Sequence, residues 1–383
     1  MSLLKVELHC ADDGACGFYR MAWPGYAVHN AGLADVTVLM PTKDWTASVN
    51  IIAIDNKIVG LGKGREEPWP DVMVFQRPLK NALAQTIPFL REQGVEVVVE
   101  LDDNFHTVSS RNAAWSMSKD RAKNLTLACE NASLVTVATE ALAEQYGGHG
   151  RVKIISNYVP ARYLDINDER EDAKLRLGWA GSVATHPDDL QVVGNAVAAV
   201  LRAHPSWSLG VVGTGVGIAR RFGISKFHEA YNTGWVALDA YPHCLNMLDV
   251  GLVPLEHSVF NECKSWLKGL EYAAVGVPFI ATPTTEYKNL HDKGLGRLAD
   301  SPAEWRHMLS VLMKDDGTRQ EEAIRQRAIV RAGLTIEANV NQWSDAWHLA
   351  AQKVGSASGP IQPRGAVPVG LLDRAGGAGL RTG

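Results

Sequence analysis

Lys264, Lys268, Glu271 and Val275 are spaced i, i+4, i+7 and i+11, so a helix from Cys263 to Val275 would carry two cations and a carboxylate on one face. With Asn261 to Lys264 at its head, free N–H groups and the Lys264 ammonium would attract an anion such as a diphosphate. Glu271, two turns further on, could accept hydrogen bonds from vicinal ribose hydroxyls. The same spacing also describes an ordinary solvated amphipathic face.

Two other stretches could do chemistry. Val98 to Leu101 reads as a buried strand that ends in Asp102-Asp103-Asn104-Phe105-His106, two carboxylates followed by an imidazole. Such a group could bind sugar hydroxyls or steer an acceptor, or it could simply cap the next helix. Two carboxylates without further ligands make a poor magnesium cage. Earlier, Asp12-Asp13-Gly14-Ala15-Cys16-Gly17-Phe18-Tyr19-Arg20 joins a strand to a helix. Gly14 and Gly17 permit close backbone approach there and Arg20 lies near the helix start, although a Gly-x-x-Gly turn is also plain loop geometry.

The elements that must position these groups alternate. β-rich runs at Leu4 to Leu8, Val36 to Leu39, Val72 to Phe75, Val95 to Leu101 and Leu134 to Val137 are interleaved with helical stretches at Phe18 to Ala31 and Lys80 to Gln93. That pattern predicts βαβ units and a parallel sheet. A charge-dense stretch, Asp165 to Lys174, then precedes a second alternating block: strands at Leu175 to Trp179, Leu209 to Val212 and Val250 to Val253, with helices at Leu190 to Ala203 and Cys263 to Val275. The simplest reading is α/β, two Rossmann-like domains facing a cleft, where ligands bind beyond the carboxyl ends of the strands. Trp343 and Trp347 place an aromatic face on a last helix, and the Gly-, Pro- and Ala-rich residues 355–383 are expected to form a flexible tail.

Bulk properties narrow the class. The chain has 383 residues, 46% apolar and 21% charged, with a formal charge of −4, which fits two ordinary domains and offers no broad attraction to nucleic acid or membrane. Five scattered cysteines indicate neither a disulfide framework nor a zinc site. With no signal-peptide pattern and no run of about 18 apolar residues, a cytoplasmic protein without a transmembrane segment is expected.

The stretch from Trp235 through Tyr241-Pro242, Asp249 to Leu255, Phe260-Asn261, Lys264-Ser265, Lys268, Leu270 to Ala273 and Gly276-Val277-Pro278 resembles the donor-binding half of glycosyltransferase family 4 proteins. Gly178-Trp179-Ala180-Gly181-Ser182, His186 with Asp188-Asp189-Leu190, and Val211-Val212-Gly213-Thr214-Gly215 fall in the family's order. The resemblance implies a GT-B fold that moves a sugar from a nucleotide diphosphate, a UDP- or GDP-sugar co-substrate, onto an acceptor hydroxyl with retention and no required metal or other cofactor. Its domains would be 1–160 for the acceptor, 161–335 for the donor, a helix at 336–354 and the tail. Donor contacts are expected from Gly14, Gly17, Arg20, Gly181, Ser182, His186, Gly213, Asn261, Lys264, Lys268 and Glu271, with Glu271 on the ribose.

Departures from the family pattern mark the catalytic expectations. The position eight residues before Glu271 is Cys263, with Glu262 one residue away, and Lys264, with Lys268 or Arg20, is expected to supply charge that many members take from an Arg and a Lys near the start of the second domain. Glu262, Cys263, Lys264, Asp103 and His106 are therefore the expected catalytic group. A nucleotide-sugar epimerase or a non-catalytic nucleotide-binding relative are the alternatives. The acceptor, whether lipid, glycan, protein or modified nucleic-acid base, and the oligomeric state stay open.

Overall fold

A computed structural model describes residues 2–41, 51–54, 57–61, 68–118, 121–169, 172, 174–215, 217–224 and 229–352. The expected tail lies outside them. Two six-stranded sheets organise the chain. The first contains β1 (Lys5–His9), β2 (Asp35–Leu39), β5 (Val72–Gln76), β6 (Glu96–Leu101), β7 (Leu134–Val137) and β8 (Val152–Ile154), in the order β2-β1-β5-β6-β7-β8. Every pairing in it is parallel. A two-stranded antiparallel hairpin, β3 (Ile51–Ile54) and β4 (Lys57–Leu61), is inserted between β2 and β5, an element the alternation did not predict.

The second sheet contains β9 (Leu175–Ser182), β10 (Trp207–Thr214), β11 (Glu229–Asn232), β12 (Val250–Val253), β13 (Phe279–Ala281) and β14 (Arg297–Leu298), in the order β11-β10-β9-β12-β13-β14. It too is wholly parallel. β5, β7, β12 and β13 are buried along their whole length, because helices cover both faces of a parallel sheet.

The chain passes between the two sheets twice, and the crossings touch: Val159 and Thr335 form an isolated parallel bridge. After the second crossing, the helix Val340–Ala351 returns to the first sheet, and Trp343 and Trp347 are buried there in one core with β1 and β5 residues. Trp343 meets Tyr158 edge-on at 5.9 Å, and Gln342 donates to the Tyr158 hydroxyl at 2.7 Å. The aromatic face anticipated from the sequence therefore docks.

One predicted element is broken. In place of a continuous helix from Cys263 to Val275 there is a short helix Val259–Glu262, capped by the Ser258 hydroxyl, and then a helix Leu267–Ala274. The break has a tertiary cause. Asn157 in the first crossing donates to Ser265 Oγ at 2.6 Å, and its carbonyl accepts from the Trp266 indole N–H at 2.8 Å, which pulls the intervening residues out of helical register.

Candidate active site

A cavity of about 460 Å³ opens between the carboxyl ends of the two sheets. The loops after β1 and β6 supply Asp13 to Cys16, Asp102 and Asp103; the ends of β9, β10 and β12 supply Gly181, Ser182, Gly213 and Val253. Lys264, Ser265, Lys268 and Glu271 form the facing wall at the start of the helix Leu267–Ala274. At the cavity floor Gly213 has φ +137, and a Cβ there would lie 1.9 Å from the Gly181 carbonyl oxygen, so only bare backbone fits.

Lys264 reaches across the cleft and its Nζ contacts Asp103 Oδ1 at 2.7 Å. Burial alone would lower its ammonium pKa, but Asp103 and its neighbours raise it, so the group stays charged. Lys268 lies over the Trp179 ring at 5.5 Å. Burial pulls its pKa down to about 8, with Asp189 and Glu271 opposing the fall. Glu271 is only 5% exposed, and burial pushes its carboxyl up to about 7. It accepts a hydrogen bond from the Tyr241 hydroxyl at 3.1 Å, and the Tyr19 hydroxyl, which donates to Tyr163 at 2.9 Å, lies beside it from the first half of the chain.

His186 also lines the cavity, and its Nδ1 lies 2.6 Å from Asp189 Oδ2. Burial, then Lys268, lowers the ring to about 4, so it is neutral near pH 7. Asp189, held ionised, fixes the proton on Nδ1 and leaves Nε2 as an acceptor. The same carboxylate receives the Glu256 N–H at 2.9 Å and the Asn261 amide at 2.7 Å.

Nine of the sequence-predicted residues thus share one cavity: Gly14, Asp103, Gly181, Ser182, His186, Gly213, Lys264, Lys268 and Glu271. Six do not line it. Arg20 is 2% exposed and spent on Glu100, the Ile155 carbonyl and Asn157, so its charge belongs to the core. Gly17 is required because a Cβ would strike the Asp12 carbonyl oxygen at 2.0 Å. His106 turns away to Thr126 and the Tyr146 ring. Asn261 supports Asp189 from behind. Glu262 accepts from the N–H and hydroxyl of Thr285 at the head of the helix Thr285–Asp292, and the Cys263 thiol sits against Asn104 in the core of the first sheet. Both side chains are carried off by the helix break, so neither faces the cavity.

Sequence reasoning passed over part of the lining. Tyr241 enters the sequence reading only through its motif, and Trp235, Val236 and Leu238 form an apolar rim, with Trp235 79% exposed. Cys16, in the glycine loop, is a wall residue that the glycine spacing does not single out. Its position just after β1 was the available signal. Among the described residues, no group of three or more His, Cys, Asp or Glu side chains is arranged to hold a metal ion, and no helix is long and apolar enough to cross a membrane.

Two parallel sheets facing one cleft define an α/β fold of the GT-B type. Residues 174–315 match the family described as glycosyl transferases group 1, which includes the Lys264, Lys268 and Glu271 wall. Among solved structures, a glycosyltransferase from Rickettsia africae aligns at TM-score 0.62 and 8% identity, over 92% of this chain and 99% of that one. Alr3699/HepE of Anabaena, in complex with UDP and glucose, aligns at 0.58 and 13%, over 89% and 98%. A point mutant of S. aureus TarM, in complex with fondaparinux, alpha-GlcNAc-glycerol and UDP, aligns at 0.52 and 14%, over 72% of this chain and 55% of that one. The chain thus spans about half the length of TarM. No curated protein sequence gives a match.

Proposed function

We propose that this chain is a glycosyltransferase that moves a hexosyl group from a UDP- or GDP-sugar onto an acceptor hydroxyl, with retention and without a required metal. The observation that carries the reading is the wall on which Lys264, Lys268, the first turn of the helix Leu267–Ala274 and Glu271 face one cavity. Two ammonium groups and unpaired N–H groups suit a departing diphosphate, and a buried carboxylate suits a ribose diol. The apolar rim of Trp235, Val236 and Leu238 suits a nucleobase. UDP in the complexes of HepE and TarM supports a uridine nucleotide as the first ligand to try.

In this reading residues 161–335 hold the donor, residues 1–160 hold the acceptor, and the protein works in the cytoplasm. The lysines and helix N-terminus stabilise the leaving diphosphate, and the acceptor hydroxyl attacks from the face that group vacates, which preserves the anomeric configuration. Preorganised charge supplies most of the rate.

The test is a thermal-shift screen against nucleoside diphosphates and their sugars, in which a ligand at about 100 times its Kd adds roughly 2.7 kcal/mol. A shift with UDP or GDP that disappears in Lys268→Ala and Glu271→Ala is expected, and turnover should survive EDTA. No shift with any nucleotide would sink the reading. A changed sugar in donor-only incubations would favour an epimerase.

A further inference from the structure

We propose that His186 selects the transferred sugar: its Nε2 accepts a hydrogen bond from a hydroxyl of the hexosyl group and leaves the diphosphate to the lysines. The proposal rests on the glycosyl-transfer reading and adds a specificity-determining residue to it.

Three observations carry it. First, the ring has one polar atom left to offer. Nδ1 lies 2.6 Å from Asp189 Oδ2, while Asp189 Oδ1 receives the Glu256 N–H at 2.9 Å and the Asn261 amide at 2.7 Å. Gripped through both oxygens, the carboxylate cannot turn, and it keeps the ring proton on Nδ1. Nε2 has no hydrogen-bond partner among the described residues, and the side chain lines the cavity with 16% of its surface open.

Second, the ring is neutral, because burial and then the Lys268 ammonium disfavour a second proton. A neutral ring protonated on Nδ1 can only accept at Nε2. Phosphate oxygens also only accept, so the group that matches Nε2 is a hydroxyl. A nucleotide sugar carries its hydroxyls on the ribose, which the reading gives to Glu271, and on the hexosyl group.

Third, the ring's place separates these two. The ammonium groups that act on it are those of Lys268 and Lys264, which the reading puts on the diphosphate. Its loop is also tied to the first half of the chain, since the Ala184 carbonyl accepts from the Ala113 N–H at 2.9 Å and the Thr185 carbonyl from the Asn112 amide at 2.8 Å. His186 therefore belongs to the hexosyl end of the donor, on the side where a sugar meets its acceptor.

The experiment titrates the full chain with UDP, with UDP-glucose, and with analogues that carry fluorine in place of each glucosyl hydroxyl in turn; GDP compounds replace them if only GDP gives a thermal shift. Fluorine cannot donate, so one analogue should bind the wild type about fivefold or more weakly than UDP-glucose. His186→Phe should bring that ratio to about twofold or less and leave the Kd for UDP within about twofold. Asp189→Asn gives a second test. Its Oδ1 keeps the two N–H donors, so its Nδ2 must face His186 Nδ1, which moves the ring proton to Nε2. The fluorine penalty should then vanish although His186 is unchanged. Wild-type chain that binds every analogue as it binds UDP-glucose overturns the proposal, as does a His186→Phe variant that loses UDP and UDP-glucose equally; both leave the donor reading intact. If His186→Phe does not fold, the wild-type and Asp189→Asn ratios decide alone. A chain that shifts with no nucleotide overturns the donor reading first, and this proposal with it.

Discussion

Glu271 and Lys268 sit side by side on the donor wall, and burial moves their ionisations towards each other, to about 7 and about 8. The productive pair is the carboxylate with the ammonium, so kcat/KM should rise as pH passes about 7 and fall beyond about 8, a narrow bell that reports the free protein. Glu271→Gln should erase the acid limb and cut turnover at least a hundredfold; an unchanged profile would remove Glu271 from the site. The same burial sets a stability signature. Because the folded carboxyl titrates above its unfolded value of 4.5, its contribution is full below pH 4.5 and is lost as pH rises through about 7. That difference is on the order of 3 kcal/mol, so Glu271→Gln should raise Tm at pH 8 and leave it unchanged at pH 4. By contrast Cys263→Ala, which acts on a thiol packed in the first sheet's core, should leave kcat within about threefold while lowering stability by about 1 kcal/mol. Lys268 and Glu271 were legible in the sequence because charge at helical spacing is a local signal, whereas Lys264 reaches the same cavity from the segment before the helix. The neighbours Glu262 and Cys263 were not, because their directions depend on a break imposed by Asn157, more than a hundred residues earlier.

At the scale of elements, that break is what aims the wall. The segment Cys263 to Trp266 carries Lys264 off the helix axis and across to Asp103, while the helix that follows starts at Leu267 with its first turn open to the cavity. Asn157 holds the segment through the Ser265 hydroxyl, and it also accepts from Arg20 at 2.8 Å. Asn157→Ala should therefore cost about 1 to 3 kcal/mol in denaturant unfolding, because a buried guanidinium loses an acceptor. It should also weaken nucleotide binding severalfold in titrations; loss of stability with unchanged UDP affinity would show that Ser265 and Trp266 hold the wall unaided. The strand ends that form the cavity floor could be located in advance from alternation and the Gly-rich termini of β9 and β10. The hairpin of β3 and β4 could not, since it interrupts the alternation without altering it.

For the whole molecule, the question is what keeps two sheets in register around one cleft. The helix Val340–Ala351 follows the second half of the chain yet buries Trp343 and Trp347 on the first, and the crossings are bridged at Val159 and Thr335. The pattern of aromatic residues announced that this helix has a docking face, but the sequence carried no signal for which sheet receives it. The wall of Lys264, Lys268 and Glu271, meanwhile, lies wholly within residues 174–315, with Tyr19 and Asp103 reaching it from the first half of the chain. Docking and donor binding should therefore separate. Trp347→Ala should lower unfolding free energy by about 3 to 5 kcal/mol, the usual cost of emptying a buried aromatic site. The Kd for UDP should change less than about twofold, while turnover falls, because the first sheet's side of the cavity is no longer held opposite the lysines. A UDP affinity that collapses together with stability would mean that the donor wall forms only when the last helix is seated.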